Sequence, residues 1–138
     1  MSEELLIERI NNDDYARANN FKVKSYEGDN LVIEMTPDKG HVNAIGVIHG
    51  GALYSLMDSA AGFMLVLKGK TSVTVDSSVN FIAASQPEDK LYSKTRIVHS
   101  GRTINVVYVE VYNEDEKLIS TGTFTMFNKG DKLRKIEK

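Results

Sequence analysis

The sequence contains no cysteine among its 138 residues. Without thiols the chain can form no disulfide framework, has no thiol nucleophile and cannot hold a zinc ion through thiolate ligands. It has 17 lysine and arginine residues against 19 acidic ones, so its formal charge of −2 creates no strong field for nucleic acid or an anionic membrane. We therefore expect neither of these two partners.

The sequence also lacks an apolar run long enough to cross a bilayer. Its longest apolar stretch, Ala52–Leu67, is shorter than the roughly 20 residues that a membrane-spanning helix needs, and Asp58 interrupts it. We find no signal peptide, internal repeat, low-complexity stretch or linker, and a chain of this length has room for one core. These features predict a single cytoplasmic domain over residues 1–138, with the apolar stretch as a buried helix.

The rest of the chain has the patterns of one more helix and six short strands. Ser2 is placed to cap a first helix that ends near Asn11 to Asn12. The short turns between the strands leave no room for crossovers, which predicts an antiparallel sheet. Thr36–Val47 should be a loop, and the charged segment Asn128–Lys138 a solvated tail. The other predicted elements are the strands Phe21–Tyr26, Leu31–Met35, Ser72–Ile82, Leu91–Val98, Thr103–Tyr112 and Leu118–Phe127 and the central helix Gly51–Leu67.

The central helix is apolar on most of its surface. One continuous helical face contains Leu53, Leu56, Met57, Ala60, Met64 and Leu67. The other side contains Ser55, Asp58, Ser59 and Gly62, with Tyr54, Phe63 and Leu65 beside them. Such a helix must be covered on most sides, and in a chain of this size only the strands can cover it. This predicts an α+β fold in which a curved antiparallel sheet wraps around one long helix.

Asp58 is the one acid in this helix. An ionised carboxylate among apolar side chains is costly unless it is hydrogen-bonded, paired or exposed to a wet cleft. Asp58 can be a solvent-facing residue, or it can be a catalytic base or nucleophile. Gly50 and Gly51 precede or open the same helix, where backbone N–H groups at the positive end of the dipole suit a developing oxyanion. Glycines are also common there as plain turn residues.

Gly50 and Asp58 are too far apart to act on one reacting carbonyl within one chain. Eight helical residues span about 12 Å, whereas both groups must lie about 3 Å from the reacting atoms. If they cooperate, Gly50 of one subunit meets Asp58 of another, and two-fold symmetry creates two equivalent composite sites. A catalytic role for this segment therefore predicts a dimer.

The segment His41–Gly51, followed by Asp58, resembles the signature of the PaaI-type hot-dog-fold acyl-CoA thioesterases, Asn-x-x-Gly-x-x-His-Gly-Gly and then an aspartate. The resemblance continues through Thr74-Val75-Asp76, Asn80-Phe81, the turn Ser100-Gly101-Arg102 and the closing Ser120-Thr121-Gly122-Thr123-Phe124. It implies a hot-dog fold, a dimer with paired sheets that can pair again into a tetramer, and hydrolysis of acyl-CoA thioesters to free acid and CoA.

The resemblance also implies roles for five residues in the reaction. Gly50 would offer its N–H to the thioester carbonyl, and Asp58 of the partner subunit would activate water or attack directly. Asn43 would help to hold the carbonyl, and His49 would brace the loop or contact the thioester. Thr74 would help Asp58 to position water. Without the resemblance, Asn43 is a loop residue that bonds its own backbone and Thr74 an ordinary strand threonine.

The remaining expected contacts concern substrate binding. Gly51 and Asn80 lie in segments that match the family. Ser100, Gly101 and Arg102 form a turn whose guanidinium and backbone N–H groups suit the phosphates of CoA, although a solvated turn arginine fits the pattern equally well.

Two other functions stay open. A hot-dog domain could hold acyl-CoA without turning it over, although the intact Gly50 and Asp58 argue against this. A dehydratase or hydratase on the same fold would need a histidine placed with an acid on the long helix, which contains none, and His41 and His99 receive no role. Hydrolysis requires no metal or redox cofactor, so none is predicted.

Overall fold

In the computed structural model, which describes residues 1–130, two short helices open the chain. Helix α1 is Glu3–Asn11, and Ser2 caps it by accepting a 3.2 Å hydrogen bond from the N–H of Leu5. Helix α2 is Asp14–Ala18. The first helix and its end are as predicted, but the sequence analysis missed α2, because five residues with a single buried side chain show no apolar periodicity.

Six strands form one sheet in which every neighbouring pair is antiparallel, as predicted. Their order across the sheet is β1-β2-β4-β5-β6-β3. The strands are β1 Phe21–Glu27, β2 Asn30–Met35, β3 Ser72–Phe81, β4 Leu91–Ser100, β5 Ile104–Asn113 and β6 Leu118–Asn128. The largest error in the predicted bounds is at β4, which continues beyond Val98 because a bulge between Ile97 and His99 absorbs the irregular residue.

Helix α3, Gly50–Leu67, is the long helix, and it contacts strands β2 to β6 and helix α1. The predicted core face is confirmed except at its last residue, Leu67, which is half-buried against the core. Leu65, which the sequence analysis placed beside the polar side, is also fully buried. The buried residues of α3 are Leu53, Leu56, Met57, Ala60, Ala61, Met64 and Leu65.

The end of α3 is fixed by a two-bond backbone motif. Gly69 has a φ of +78°, a conformation that glycine adopts without strain, and its N–H donates to the carbonyl of Val66 at 2.9 Å. The N–H of Lys70 donates to the carbonyl of Leu65 at 2.9 Å. This motif turns the chain from the helix into β3 and fixes the position of the Lys70 backbone.

The core lies between α3 and the sheet, and Gly122 of β6 permits their close approach. A Cβ atom on Gly122 would lie 2.7 Å from the ring of Phe124, 3.0 Å from Val79 and 3.2 Å from the sulfur of Met57. By length and mean hydropathy, 1.3 over 18 residues, α3 could also span a membrane. However, α3 packs against the sheet, so it is the core helix that the sequence predicts.

The C-terminal prediction is wrong for Asn128. The sequence analysis placed this residue in a solvated tail, but it is the last residue of β6 and is half-buried. Its side chain forms four hydrogen bonds, so polarity alone did not mark it as exposed. The rest of the predicted tail from residue 131 onward lies outside the described residues.

Candidate active site

Asp58 is half-buried on the side of α3 that faces β3. Its Oδ1 accepts a hydrogen bond of 2.7 Å from the hydroxyl of Thr74. Within residues 1–130, no lysine, arginine or histidine forms an ion pair with it. The structure thus brings these two predicted residues into contact and leaves the second carboxylate oxygen available.

A β-bulge in β3 allows two hydroxyl residues to face the helix. Along a regular strand Thr74 and Ser77, three positions apart, would point to opposite faces. The bulge between Thr74 and Asp76 shifts the alternation by one residue, so that both side chains reach α3. The hydroxyl of Tyr54 lies 2.5 Å from the Oγ of Ser77. Sequence patterns alone gave no sign of this bulge.

His49 caps the N-terminus of α3. Its Nδ1 accepts a 2.7 Å hydrogen bond from the N–H of Gly51, which assigns the ring proton to Nε2. A Cβ atom on Gly51 would lie 2.9 Å from that Nδ1, so the ring position requires glycine there. The N–H of Gly50 has no acceptor among residues 1–130. The cap therefore occupies one of the two predicted glycine donors and leaves the other available.

A pocket of 220 Å³ opens beside this unoccupied N–H. The ring of Phe81 packs over Gly50, at 3.5 Å from where a Cβ atom would stand. Polar and apolar atoms line the pocket about equally, and one of its residues is the buried Ser85, whose hydroxyl has no partner within the described chain. The lining residues are Ile48, Gly50, Leu53, Phe81, Ile82, Ala83, Ala84 and Ser85.

Asn43 shapes the loop that leads into the helix. Its side-chain oxygen accepts hydrogen bonds of 3.1 Å from the N–H groups of both Ile45 and Val47. Gly46 completes the turn with a φ of +85°. The oxygen of Asn43 therefore bonds its own loop, which was the structural alternative for this residue, while its amide N–H₂ has no partner within residues 1–130.

His41 is a buried link that the sequence analysis missed. Its Nδ1 accepts from the N–H of Asp38 at 3.0 Å, and its Nε2 lies 3.1 Å from the side-chain oxygen of Asn19. Its carbonyl accepts the N–H of His49 at 2.7 Å. His41 thus ties the loop before α3 to the end of α2. An aspartate three residues before a histidine has the spacing of a capping box and could have indicated this role.

The predicted substrate-binding residues on the strands lie in two other places. Ser100, Gly101 and Arg102 occupy the β4–β5 turn, where the hydroxyl of Ser100 accepts a 2.7 Å hydrogen bond from Lys70. Asn80 is exposed on β3, between Val79 and Phe81, which both face the helix side. Strand alternation therefore directs Asn80 to the outer face of the sheet, away from Asp58 in the same chain.

Histidine, aspartate and glutamate side chains do not gather in threes anywhere in residues 1–130, so the described residues offer no such metal site. The prediction that the protein needs no metal or redox cofactor stays a prediction. The groups available for chemistry at the two ends of the site are a carboxylate with a hydroxyl donor and a backbone N–H at a helix N-terminus.

Comparison with known proteins agrees with this fold. The family described as the Thioesterase superfamily matches residues 45–120. A putative esterase of Archaeoglobus fulgidus is 30% identical over 95 residues, which cover 69% of this chain and 62% of that protein. The chain therefore spans less than two thirds of that relative. Acyl-coenzyme A thioesterase PaaI of Escherichia coli is 26% identical over 109 residues, which cover 79% of this chain and 78% of PaaI.

Solved structures show the same likeness. A hypothetical thioesterase of Streptococcus pneumoniae, solved with coenzyme A, has a TM-score of 0.78 and 31% identity over 83% of this chain and 92% of its own. It was also solved with an aspartate or a threonine changed to alanine, two residues separated in sequence as Asp58 and Thr74 are. The structure of E. coli PaaI, with a TM-score of 0.84 and 24% identity over 89% of each chain, shows the fold. The chain therefore belongs to the thioesterase superfamily, as a PaaI-type thioesterase with the hot-dog fold that its sequence predicts.

Proposed function

We propose that the protein hydrolyses acyl-CoA thioesters to free acid and CoA. The observation that carries the proposal is the uncommitted N–H of Gly50 on the same helix as Asp58, whose carboxylate is held by Thr74 at 2.7 Å. Thioester hydrolysis needs an oxyanion donor and a base of this kind. The acyl-coenzyme A thioesterase of E. coli and the coenzyme A complex of the S. pneumoniae protein support the choice of substrate.

In the proposed reaction, the thioester carbonyl oxygen accepts a hydrogen bond from Gly50 at the positive end of the α3 dipole. Thr74 holds one oxygen of Asp58, and the other takes a proton from water as the water oxygen attacks the carbonyl carbon. The tetrahedral intermediate then breaks its C–S bond, and the proton passes from Asp58 to the departing CoA sulfur. Direct attack by Asp58 would instead form an anhydride that water opens. Oxygen from labelled water would then enter the carboxylate of Asp58.

The reaction needs two copies of the chain. Gly50 and Asp58 are eight residues apart on α3, and that length of helix spans about 12 Å. We therefore infer that Gly50 of one subunit acts with Asp58 of the partner subunit. A two-fold axis that brings Gly50 of one subunit to Asp58 of the partner subunit passes close to Tyr54, because Tyr54 lies midway between these two residues on α3.

Strand β3 has the features of the interface that this arrangement needs. It is an edge of the sheet, and Val75 and Phe81 on it are 57% and 53% exposed. A long edge strand with apolar side chains is open to pairing with a second copy. Antiparallel pairing of two β3 strands would place Ser77 and Ser78 near the axis, because they lie midway between Phe81 and Thr74, which contact Gly50 and Asp58.

Release of free thiol from short, aromatic and long acyl-CoA substrates tests the activity. Asp58→Asn keeps the size of the side chain and removes the base, so we expect kcat to fall by about 10²-fold or more. Asp115→Asn, in the exposed β5–β6 turn, is the matched control and should keep full activity. If the wild-type protein releases no thiol from any substrate, the proposal fails, and CoA binding without release would support the holding function instead.

A second variant tests the oxyanion donor. Proline is tolerated at the first position of a helix, and the extended backbone of His49, with a ψ of 137°, suits a following proline. Gly50→Pro should therefore fold normally but lose the N–H, and we expect kcat to fall by about 10²-fold or more. Gly50→Ala keeps the N–H and is the matched control. A folded and fully active Gly50→Pro protein would refute the role of this group.

Disulfide cross-linking tests the dimer, since the chain has no cysteine that could interfere. In an antiparallel pair, facing Cα atoms are about 4.5–5.5 Å apart, which is within the reach of a disulfide. Ser78→Cys should therefore form a cross-linked dimer on mild oxidation. Val73→Cys is the control, because its two copies would lie roughly 33 Å apart. More efficient cross-linking through Val73→Cys would contradict the proposed pairing.

A further inference from the structure

The loop that leads into α3, residues 41–49, is a narrow hairpin with His41 and His49 at its base. The N–H of His49 donates to the carbonyl of His41 at 2.7 Å, and the N–H of Asn43 donates to the carbonyl of Val47 at 2.9 Å. The N–H of Gly50 belongs to the same planar peptide as the carbonyl of His49. The base of the hairpin therefore fixes the direction in which the N–H of Gly50 points.

The side chain of His41 anchors this base. It is buried, and both of its ring nitrogens have partners. Nδ1 accepts from the N–H of Asp38 at 3.0 Å, so the ring proton is on Nε2, which donates to the side-chain oxygen of Asn19 at 3.1 Å. The amide of Asn19 donates in turn to the carbonyl of Tyr15 in α2 at 3.0 Å. Two hydrogen bonds in different directions thus hold the ring of His41 in one orientation.

Helix α2 and the two asparagines after it also contact the chain on either side of the hairpin. The amide of Asn20 donates to the carbonyl of Thr36 at 2.9 Å and to the carboxylate of Asp38 at 3.2 Å. The hydroxyl of Tyr15 lies 2.8 Å from the hydroxyl of Ser55, in the second turn of α3. One short segment therefore supports the chain before the hairpin and the helix after it, and the ring of His41 joins that segment to the hairpin itself.

Gly50 cannot orient its own N–H. It has no side chain, and this N–H has no acceptor among residues 1–130. The direction of the donor therefore depends on His49 before it and on α3 after it. A catalytic donor must be aimed closely, because a displacement of about 1 Å can lower a rate by about a hundredfold. A residue that fixes the base of the hairpin can thus affect the chemical step without touching the substrate.

We propose that His41 is a positioning residue for the oxyanion donor. Its two hydrogen bonds fix the base of the hairpin to α2, and His49 transmits that position to the N–H of Gly50. The inference rests on the proposed function, in which this N–H binds the thioester carbonyl. It gives a role to a histidine of the signature segment for which the sequence analysis had none.

Single substitutions test the anchor through kcat and KM. His41→Leu removes both hydrogen bonds of the ring, and we expect kcat to fall about tenfold while KM changes little. His41→Asn keeps an acceptor close to the position of Nδ1 and should recover part of the rate. Asn19→Ala lies outside the hairpin and removes only the partner of Nε2, so it should lower kcat less than His41→Leu does.

Thr95→Val is the matched control for the loss of a buried hydrogen bond. The hydroxyl of Thr95 donates to the carbonyl of Leu31 at 3.4 Å, between β4 and β2 and away from the hairpin. This variant should keep full activity. A folded His41→Leu protein with an unchanged kcat would overturn the proposal.

A double-mutant cycle separates positioning from a general loss of stability. Gly50→Pro removes the N–H that His41 is proposed to orient. His41→Leu should therefore lower kcat in the wild-type background and leave it nearly unchanged in the Gly50→Pro background. The same fold-loss in both backgrounds would overturn the proposal. If His41→Leu does not fold, Asn19→Ala completes the same cycle with the same two outcomes.

Amide hydrogen exchange separates this proposal from the hydrolysis proposal, because it requires no turnover. The N–H of His49 is bonded to the carbonyl of His41, and we expect it to exchange about tenfold faster in His41→Leu but not in Thr95→Val. Faster exchange in a protein that hydrolyses no thioester would refute only the hydrolysis and leave the anchor in place. Unchanged exchange in His41→Leu would overturn the anchor whatever the activity.

Discussion

At the scale of single residues, Thr74 determines how Asp58 is presented. Its hydroxyl occupies one carboxylate oxygen at 2.7 Å and leaves the other for water. A hydrogen bond to a charged group stabilises it by about 1.5–3 kcal/mol, which is enough to restrict the carboxylate to one orientation. The effect of this contact on catalysis can be separated from its effect on folding.

Thr74→Val keeps the shape of the side chain and removes the hydroxyl. If Thr74 orients the base, kcat should fall by about 10- to 100-fold while KM changes little. Steady-state kinetics on the best substrate measures this, and Thr74→Ser, which restores the hydroxyl, should recover most of the rate. An unchanged kcat in Thr74→Val would show that the contact is structural only.

Residue identity selected candidate residues but did not predict their contacts. Asp58 and Gly50 are candidates because a carboxylate in an apolar helix is costly and a backbone N–H at a helix N-terminus suits an oxyanion, and their catalytic roles stay predictions. The contact between Asp58 and Thr74 could not be derived in this way, because it depends on the bulge before Asp76, for which the sequence has no local signal. His41 was missed because its partners are distant in sequence or belong to the backbone.

At the scale of elements, the packing of α3 on the sheet depends on the absence of a side chain at Gly122. The ring of Phe124, the side chain of Val79 and the sulfur of Met57 fill the space that a side chain at this position would occupy. These neighbours come from β6, β3 and α3, so Gly122 sets the separation of three elements that position the site.

Gly122→Ala should therefore destabilise the protein. The added Cβ would lie 2.7 Å from Phe124 and 3.0 Å from Val79, and crowding of this kind costs about 1–3 kcal/mol. Chemical denaturation measures the loss. Gly62→Ala on α3 is the matched control, because its Cβ would lie 3.8 Å from Met126, an ordinary contact, and alanine favours the helix by up to about 1 kcal/mol. Equal stability of the two variants would contradict the packing argument.

Elements with long periodic patterns were predictable, whereas short ones were not. The strands and α3 were found because alternation and helical spacing repeat over many residues. Helix α2 and the 3₁₀ turn Lys39–His41 are too short to show a period, and their caps, Asp13 and Asp38, are the only local signals. Asn128 was misplaced because a polar residue at a strand end looks like the start of a tail until its partners are known.

At the scale of the whole molecule, the outer face of the sheet has tyrosines that respond to alkali. Partial burial, followed by the nearby Glu110, raises the pKa of Tyr108 and of Tyr112. The Asp29 carboxylate, 2.7 Å away, raises the pKa of Lys68. All three shifts mean that the folded state binds protons more tightly than the unfolded chain does. The stability that they contribute is present below the unfolded pKa values and is lost as pH rises through the folded ones.

We therefore expect the midpoint of thermal unfolding to fall as pH rises above about 10, the ordinary pKa of tyrosine. Thermal scans at a series of pH values measure this. Tyr112→Phe removes one titrating group and should make the fall shallower, whereas Asp29→Asn should remove the contribution of Lys68. The same slope in all three proteins would contradict this origin of the alkaline sensitivity.

The assembly and its surroundings are also properties of the whole molecule. The sequence predicted at least a dimer, with a tetramer of paired dimers as the larger form, and a cytoplasmic location, and these stay predictions. The dimer has a structural reason in the edge strand β3 and in the distance between Gly50 and Asp58. The sequence offers no such reason for the tetramer, because a tetramer depends on what covers the outer face of the sheet.

Helix α3 and strand β3 advance at different rates along the site. The stretch of β3 from Thr74 to Phe81 is longer than the stretch of α3 from Gly50 to Asp58 by roughly 10 Å. The reason is that a strand rises about 3.3 Å per residue and a helix only 1.5 Å. The short side chains of Asp58 and Thr74 meet at one end, Tyr54 reaches Ser77 in the middle, and the long side chain of Phe81 covers Gly50 at the other end. In the proposed reaction, substitutions at Phe81 therefore change the space beside Gly50 and leave the contact of Asp58 with Thr74 in place, so that preference for the acyl group can change while the reaction is conserved.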